Sequence, residues 1–518
     1  MGKVEFSIII PNMNGMEHLP DCCASLAAAD YPPDQQEWIV SDNGSVDGSV
    51  AWLRDHYPRA RIVANGRNIG FAPGCNAGAA VATGAWLVFL NNDTRVHRDW
   101  LHGYEQALAC DPQAVCAGSY MRSWDDREVD FDGATANLFG AGWQRPVIGW
   151  PDRPVPLADG DPMLFACGGA MCIRRDVFAA VGGFDPRFFI YFEDVDLGWR
   201  LWVLGHRVVF ARSSIVYHKE GGTTGATRAP SYRRYRLFER NILALIIKNY
   251  EAAHLDRVLP AALLLEWQRA ILSAGDALDR AQYALRGPTA DQPFGATGLT
   301  SLPPMSLTHL VAMHGLVELL PALLAERARI QAARRRPDRE IFPLLGRPFR
   351  QQFDGPIYAD RMRRIAAAFD LYGLIGDTVP SRILLLAPPE DRTGRAAALE
   401  QLLTGEFYLC HNPPLAAELA PSADLLLAVG PAIPAAAALA TPAPLVADVT
   451  GLTPSSLPPA FGAAIRRRAG LLITAEAATA PAWAAAFGIP CLVQPPGAPL
   501  DPALRHYCRY PLHQVDLP

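Results

Sequence analysis

The stretch AWLVFLNND, residues 85–93, is apolar for its first six residues and then turns polar at Asn91, Asn92 and Asp93. An apolar run of this length without polar alternation predicts a strand that is buried on both faces, as in the centre of a parallel sheet. Ligands of such sheets bind beyond the carboxyl ends of the strands. The stretch therefore predicts both a fold class and one edge of a binding site.

Strand and helix patterns alternate on the N-terminal side of this stretch. Strands are predicted for VEFSIII (4–10), EWIVSD (37–42) and RIVAN (61–65), and helices for HLPDCCASLAAA (18–29) and APGCNAGAAVATG (72–84). This alternation predicts an α/β fold with a doubly wound, mostly parallel sheet and right-handed crossovers. The dinucleotide motif GxGxxG is absent after the first strand, which argues against a dehydrogenase.

The composition excludes several classes of protein. The chain has 518 residues, enough for two or three domains, and half of them are hydrophobic, so large cores are expected. The net charge of -5 argues against nucleic acid as a partner. The ten cysteines lack zinc spacing, which indicates reduced, mostly buried thiols in a cytoplasmic protein. With no signal peptide pattern and no run of about 18 apolar residues, no membrane span is expected.

Three regions are expected along the chain. Residues 1–227 contain the alternating pattern described above. Residues 228–376 have helical periodicity with interleaved basic residues, as in YRRYRLFERNILALIIKNY, which fits either solvated faces of packed helices or a surface that meets an anionic lipid. Residues 381–518 contain short apolar strand patterns between alanine-rich helices, which predicts a second, small Rossmann-like domain. For this last domain we expect a structural or oligomer-forming role.

The stretch FFIYFEDVDLGWRLW, residues 188–202, packs three carboxylates into an apolar and aromatic run. Desolvated carboxylates that lie close together repel one another, so such a cluster needs a reason. One interpretation is a catalytic base with a supporting acid. The other is a helix start, where negative charge is favourable.

Six motifs in order resemble the inverting glycosyltransferases of family 2, which have the GT-A fold. They are SIIIPNMNG, VSDNGSVDGS, NIGFAPGCNAG, FLNNDT, GGFDPRFFIYFEDVDLGWR and VYHKEGG. They span roughly residues 4–222, and they are most similar to the bacterial rhamnosyltransferase and galactofuranosyltransferase branch. The resemblance implies transfer of a hexose, with inversion, from a nucleotide diphosphate sugar to a glycan or lipid-linked glycan.

The resemblance also implies which residues bind the donor. These are Pro11, Asn12, Asn14, Asp42, Asn68, Gly70, Asn76, Asn91 and Asn92. Each has a purely structural alternative. Asp42 can close an Asx-turn or cap a helix instead of accepting a hydrogen bond from a ribose or a base. The asparagines and glycines can simply form the turns after the strands.

The metal site implied by the resemblance consists of Asp93 and His218. Asp93 occupies a position of the family's DxD motif, and a divalent Mg²⁺ or Mn²⁺ ion there would neutralise the diphosphate. Asn91 departs from the motif because an amide is a weaker ligand than a carboxylate, so we assign it to the ribose or to a water. A single histidine is usually structural, but His218 lies where this branch has a histidine ligand.

The resemblance makes Asp194 the general base that takes the proton of the acceptor hydroxyl. Glu193 is expected to raise the basicity of Asp194 by repulsion between like charges. Asp196 and Arg200, spaced i,i+4, are expected to form a structural pair or to orient the loop. Trp199 and Trp202 are candidates for acceptor platforms, with core packing expected for at least one of them.

Two other function classes remain open from the residues alone. A nucleotidyltransferase would need a basic phosphate-binding loop after the first strand, which PNMNGMEHLP lacks. A non-catalytic glycan-binding scaffold would not need Asp93, Asp194 and His218 together. The expected donor is a dTDP- or UDP-sugar, with rhamnose as the first choice. A homo-oligomer and a peripheral contact with the inner face of the membrane are further expectations.

Overall fold

The computed structural model describes residues 4–144, 156–219, 232–274, 303–346, 348–353 and 356–375, and shorter segments between 382 and 493. The chain divides into two compact units. The first consists of Met1–Phe353 and Ala368–Ile375, and the second of Asp354–Ala367 and Gly376–Pro518. The three-part division expected from the sequence stays a prediction.

A nine-stranded sheet forms the centre of the first unit. Its strands lie in the order β3-β2-β1-β4-β10-β6-β11-β5, with β7 paired to β6. They are β1 Phe6–Asn12, β2 Gln36–Asp42, β3 Arg61–Ala64, β4 Trp86–Leu90, β5 Thr94–Val96, β6 Ala114–Ser123, β7 Val129–Phe131, β10 Ala170–Arg174 and β11 Arg207–His218. A separate two-stranded ribbon joins β8 Ala134–Ala136 to β9 Gly142–Gln144.

The sheet is parallel in the half that contains the predicted strands, and again between β6 and β11. Strands β1 to β4 pair in parallel, and the β1–β2 register places Asn12 beside Asp42 at their carboxyl ends. Strand β10 then runs antiparallel between β4 and β6. The sheet is therefore mixed. The prediction of a mostly parallel sheet holds for strands β1 to β4, which carry or precede the expected donor residues.

Six helices cover this sheet: α1 Leu19–Ala27, α2 Ser49–His56, α3 Phe71–Ala80, α4 Trp100–Cys110, α5 Arg175–Ala180 and α6 Glu193–Val203. Helices α1 and α3 confirm the predictions from the sequence. The small residues of α3 have a packing reason, because a Cβ added at Gly78 would lie 2.5 Å from Ile9 of the central strand β1. Helix α3 can therefore approach β1 more closely than a helix with larger side chains.

Three long helices follow in the same unit: α7 Tyr232–Asn249, α8 Ala252–Leu272 and α9 Pro304–Ala332. Helix α9 is long and apolar enough to cross a membrane, but the core helices of soluble proteins can have the same length and composition. It packs against α7, where Arg327 Nη1 donates to the Ile247 carbonyl at 2.8 Å. The absence of a membrane span stays a prediction. The unit also contains two short helices, α10 Asp338–Ile341 and α12 Leu371–Leu374.

The second unit contains a six-stranded sheet that is parallel throughout, which confirms a second α/β fold. The strand order is β13-β12-β14-β15-β16-β17. The strands are β12 Arg382–Leu386, β13 Glu406–Cys410, β14 Leu425–Val429, β15 Leu445–Asp448, β16 Ala469–Thr474 and β17 Cys491–Val493, and the described helices are α11 Pro356–Ala368, α13 Ile433–Ala438 and α14 Ala480–Phe487. The edge strand β13 was not predicted. The core is aliphatic around the fully buried Trp483.

The expectation of mostly buried cysteines agrees with the structure, which describes eight of the ten. Five are buried, namely Cys22, Cys23, Cys75, Cys116 and Cys172, and only Cys110 is exposed.

Candidate active site

The first polar cluster lies at the carboxyl ends of β1 and β2. The side-chain amide of Asn12 donates to Asp42 Oδ1 at 3.0 Å, and Asp42 Oδ2 accepts from the backbone N–H groups of Gly44 and Ser45 at 3.0 Å each. Asp42 therefore closes the Asx-turn that the sequence left as an alternative. The binding of a nucleotide by Asp42 stays a prediction.

The loop after β1 is tied to the same turn. Asn14 adopts a left-handed φ of 51°, and its Oδ1 accepts from the Val46 N–H at 2.9 Å. Its own N–H donates to Ser45 Oγ at 2.8 Å. Pro11 pairs with Ser41 at the end of β1. These contacts hold two of the predicted donor loops against one another.

The glycine-rich motif at the start of α3 turns inward. Asn68 Oδ1 accepts from the N–H of Gly70, whose φ of 100° and close contact with Phe189 leave no room for a side chain. Asn76 uses both ends of its amide on the backbone of Phe184, at 2.7 and 3.0 Å. In the structure these residues join α3 to the segment before α6, and their donor role stays a prediction.

The NND segment follows β4 at the predicted position. Asn92 donates to Asn12 Oδ1 at 2.9 Å, which links this segment to the first cluster. The Asn91 N–H donates to the carbonyl of Gly169 at 2.9 Å. Asp93 is buried, with 3% of its surface exposed, and its backbone carbonyl accepts from the N–H of Lys219 at 3.0 Å.

His218 lies at the end of β11, directly beside Asp93. Its Nε2 is 3.6 Å from Asp93 Oδ1, while its Nδ1 is 2.7 Å from Asp130 Oδ2. Burial lowers the pKa of His218, but hydrogen bonds to Asp130 and Asp93 outweigh this effect and raise the pKa to about 10. The Asp130 carboxylate on Nδ1 fixes the imidazole ring so that Nε2 points towards Asp93. This arrangement is typical of metal-binding histidines. Asp130 orients the histidine, and Asp93 together with the neutral form of His218 would fit a divalent cation, whose binding would displace the proton.

Glu193 and Asp194 are the first two residues of α6. Asp194 is half-buried, and its carboxylate accepts from the N–H groups of Gly168 at 3.0 Å and Val195 at 2.8 Å. Burial raises the pKa of Asp194 despite these hydrogen bonds. Glu193 is 5% exposed, and burial followed by the negative charge of Asp194 raises its pKa well above the ordinary value.

Burial and then the negative charge of Asp194 raise the pKa of Glu193, and burial raises the pKa of Asp194. The role expected of Glu193, to raise the basicity of Asp194 by repulsion between like charges, stays a prediction.

The matches with known proteins identify the family of the chain. The family model Glycosyl transferase family 2 matches residues 7–182. The N-acetylglucosaminyl-diphospho-decaprenol L-rhamnosyltransferase of Mycobacterium tuberculosis is 30% identical to this chain over 229 residues, which cover 40% of this chain and 74% of that protein. The chain belongs to glycosyl transferase family 2.

Other relatives are more distant. The O-antigen biosynthesis protein RfbC of Myxococcus xanthus is 28% identical over 249 residues, covering 45% of this chain and 19% of that protein. Among solved structures, S. aureus TarS 1-349 is 14% identical, covers 71% of this chain and 92% of its own, and has a TM-score of 0.38. The mannosyltransferase PcManGT from Pyrobaculum calidifontis is 18% identical to this chain and also has a TM-score of 0.38. The match covers 64% of this chain and 86% of the PcManGT chain. The family assignment rests on the sequence matches.

As a member of family 2, the chain is a glycosyltransferase, and the GT-A prediction for its N-terminal part is confirmed. Family membership therefore favours a glycosyltransferase over the two alternatives, a nucleotidyltransferase and a non-catalytic scaffold. Asp194 and His218 both lie beyond the segment that the family model matches. Their roles depend on the geometry described above.

The remaining acidic residue of the motif is structural. Asp196 is fully buried, and its carboxylate lies 3.0 Å from Arg200 and 2.9 Å from Lys248. The predicted i,i+4 pair is therefore confirmed, and Lys248 of α7 is an additional partner. Trp199 and Trp202 are both buried, Trp199 against Tyr250 and Trp202 through a hydrogen bond to the Met163 carbonyl. Both tryptophans belong to the core.

Sequence reasoning missed the residues that support this site from a distance. Asp130 lies within the acidic stretch DDREVDFDG, in which nothing distinguishes it from its neighbours. Two further clusters of His and acidic residues, Glu239/Glu266/His309 and Glu251/His254/Asp338, were also not predicted. Arg269 pairs with both glutamates of the first cluster, and Arg334 pairs with Asp338 of the second. Because an arginine already compensates the negative charge, we interpret both clusters as links between helices.

Proposed function

We propose that the protein is a metal-dependent inverting glycosyltransferase in which Asp194 is the general base and Asp93 and His218 hold the metal. The observation that carries this proposal is the pair Gly168 and Gly169. The N–H of Gly168 binds the Asp194 carboxylate, and the carbonyl of Gly169 accepts from the N–H of Asn91. The base and the NND segment are more than 100 positions apart in sequence, and they meet at two successive residues.

The reaction follows from these positions. The acceptor hydroxyl loses its proton to Asp194 as its oxygen attacks the anomeric carbon of the donor sugar, and the bond from that carbon to the diphosphate breaks. The attack is opposite to the departing diphosphate, so the configuration inverts and no covalent sugar–enzyme intermediate is needed. Glu193, whose pKa is raised by burial and by the charge of Asp194, is assigned no part in the proton transfer. A divalent cation on Asp93 and His218 would neutralise the diphosphate.

For the donor we propose a nucleotide diphosphate sugar, with dTDP-rhamnose before UDP-sugars. For the acceptor we propose a lipid-linked glycan. Both are supported by the mycobacterial relative, whose name states a rhamnosyl transfer to N-acetylglucosaminyl-diphospho-decaprenol. The donor residues are those expected from the sequence, of which Asn12, Asp42 and Asn92 form one connected network.

We also propose a cytoplasmic protein that contacts the inner face of the membrane peripherally. The support comes from the first turn of α7, where Arg233, Arg234 and Arg236 are all exposed beside Tyr232 and Tyr235. Arginines attract anionic headgroups, and tyrosines favour the membrane–water interface. Such a contact would bring the enzyme to a lipid-linked acceptor.

Nucleoside diphosphate release tests the proposed function. The full-length protein is mixed with a panel of dTDP-, UDP- and GDP-sugars, with and without a lipid-linked N-acetylglucosamine acceptor, in the presence of Mn²⁺. We expect acceptor-dependent release of one nucleoside diphosphate, and no such release by Asp194→Asn. Release that needs no acceptor, or that persists in Asp194→Asn, would contradict the proposal.

A further inference from the structure

The loop that leads into α6 has an unusual backbone. Residues 189–192 follow a short 3-10 turn, Pro186–Phe188, and lead directly into α6, which begins at Glu193. Three of these four residues have positive φ angles, 64° at Phe189, 71° at Tyr191 and 66° at Phe192. None of the three is a glycine, and side chains of L residues disfavour this region of φ. Such a conformation persists only where surrounding contacts impose it.

The contacts come from one buried residue of α7. The side-chain amide nitrogen of Asn241 lies within hydrogen-bond distance of three carbonyls, that of Phe188 just before the loop at 3.0 Å and those of Ile190 at 3.1 Å and Tyr191 at 2.7 Å within it. Asn241 is 1% exposed, so these bonds are shielded from water. One side chain thus binds backbone carbonyls at the start of the loop and within it.

The neighbouring arginine fixes the orientation of this amide. Arg240 donates to Asn241 Oδ1 through Nε at 3.1 Å and Nη2 at 2.8 Å. An oxygen that accepts from a guanidinium leaves the NH₂ group to face the loop, so the amide cannot be reversed. The same Nη2 also donates to the carbonyl of Arg187 at 2.8 Å, just before the loop.

The same face of α7 supports the loop at two further levels. Phe238, three residues before Asn241, packs its ring edge-on against Phe192 at 4.6 Å between centroids. Lys248, seven residues after Asn241, binds Asp185 at 2.6 Å and Asp196 at 2.9 Å. Asp185 precedes the loop and Asp196 follows it. Helix α7 therefore holds the loop and both of its flanks.

We propose that Asn241 is a positioning residue for glycosyl transfer: it holds the loop of residues 189–192 in the strained conformation that presents the Asp194 carboxylate to the acceptor hydroxyl. This inference rests on the proposed function of Asp194. It extends the active site to α7, which lies outside the segment matched by the family model. The helix that follows the GT-A domain in sequence is then part of the catalytic apparatus.

The test compares Asn241→Ala with Asn249→Ala. Asn249 is a buried asparagine on the same helix, and its amide donates to Asp196 and to the Leu245 carbonyl but not to the loop. Both variants lose buried hydrogen bonds, so both should lower the melting temperature. We expect Asn241→Ala to lower kcat at least 10-fold while the Kd of the donor stays within threefold of wild type. Asn249→Ala should keep kcat within twofold.

A double mutant separates positioning from a general structural effect. If Asn241 acts through Asp194, then adding Asn241→Ala to Asp194→Asn should lower the residual rate no further. Arg240→Gln, at a half-buried residue, should give the same pattern with a smaller loss of kcat, and it serves if Asn241→Ala does not fold. A kcat within twofold of wild type in the folded loop variant, an equal loss in Asn249→Ala, or full additivity in the double mutant would overturn the inference. If instead Asp194→Asn itself keeps its activity, the proposed base is wrong, so the two failures are distinguishable.

Discussion

At the scale of single residues, the two neighbouring carboxylates Glu193 and Asp194 differ because burial acts on them unequally. Glu193 is almost fully buried, and among the described residues no hydrogen-bond partner reaches its Oε2. Asp194 is half-buried and keeps two backbone donors, which favour its ionised form. Of the two groups, Glu193 therefore favours the protonated form more strongly, which makes Asp194 the better candidate for the base.

The first prediction contrasts the amide variants of this pair. Asp194→Asn should lower kcat by about 10²–10⁴-fold with little change in donor affinity, because an amide cannot accept the proton. Glu193→Gln should keep most of the activity, because glutamine mimics the neutral acid. Both are measured as kcat and donor Kd at neutral pH. Equal losses in the two variants would show that Glu193 is ionised and contributes to the chemistry.

The raised pKa of Asp194 predicts a pH dependence. The base works only when deprotonated, so kcat should fall as the pH decreases through its pKa, and that acid limb should lie above the value of about 3.9 for an ordinary aspartate. Glu193→Gln should leave the limb in place. A pH–rate profile of both proteins checks this. An acid limb at or below pH 4 would show that burial does not raise the pKa of the base.

The third prediction concerns Asp130, whose carboxylate contacts Nδ1 of His218. Asp130→Asn should raise the Mn²⁺ concentration for half-maximal activity by about 10–100-fold, the usual effect of losing a partner that orients a metal-bound histidine. Activity at saturating Mn²⁺ should largely return. Activity without added metal after EDTA treatment would contradict the metal site as a whole, whereas an unchanged Mn²⁺ requirement would exclude only the role of Asp130.

At the scale of secondary-structure elements, the helix that holds the active-site loop is joined to the sheet domain by buried charges. Lys248 has no exposed side-chain surface and neutralises Asp185 and Asp196. Arg187 also pairs with Asp185, and Arg200 also pairs with Asp196. Burial raises the pKa of Asp185, but the hydrogen bond from Arg187 and the charge of Lys248 outweigh it and hold that pKa well below the ordinary value.

Removing the lysine should destabilise the first unit strongly. Lys248→Met leaves two buried carboxylates with less positive charge, and losing one partner of a buried ion pair costs about 3–5 kcal/mol. Because the folded-state pKa of Asp185 lies below its unfolded value, its ionised state stabilises the wild type fully above about pH 4, and this contribution is lost as the pH falls below that value. Urea unfolding at pH 7 and pH 3.5 measures both effects. A loss below 1 kcal/mol at pH 7 would contradict the role of Lys248.

The elements that the sequence predicted are those whose signals are local. Strands β1 to β4 and helices α1 and α3 have clear apolar periodicity within a few residues. The antiparallel strand β10 was not predicted, because its place between β4 and β6 depends on partners distant in sequence. The edge strand β13, EFYLC, is a short apolar run without the aliphatic continuity of its neighbours.

The same limit applies to the site. The family motifs predicted Asp93, Asp194 and His218, but the residues that hold them are 50 to 90 positions away, as in the contacts of Asn241 with Tyr191 and of Asp130 with His218. In sequence Asn241 is one polar residue on an amphipathic helix. Its function depends on which loop that helix meets, and no local pattern contains this information.

At the scale of the whole molecule, the second unit is expected to carry no chemistry. Its sheet is parallel, so a ligand would bind beyond the carboxyl ends of its strands, where Asp448 ends β15. Asp448→Asn should therefore leave kcat per folded protein unchanged, and deletion of residues 381–518 should harm solubility or assembly first. A folded Asp448→Asn variant that loses turnover would indicate a second active site.

The last prediction concerns the membrane. If the first turn of α7 meets an anionic surface, the wild-type protein should sediment with phosphatidylglycerol-containing vesicles at low salt and release as salt rises, because the Debye length shrinks to about 10 Å at 0.1 M. Replacing Arg233, Arg234 and Arg236 by serine should weaken binding by about 1 kcal/mol for each residue, or roughly 100-fold together.

A matched control removes the same charge elsewhere. Arg54, Arg59 and Arg127 are also exposed, and their triple serine variant should sediment like the wild type. The alternative is that the α7 arginines only support packing, as the contact of Arg234 with the Tyr191 ring at 5.4 Å suggests for one of them. In that case the α7 variant would lose thermal stability, and the wild type would not sediment at either salt concentration. Equal weakening in both triple variants would indicate non-specific attraction, and the membrane contact at α7 would then be wrong.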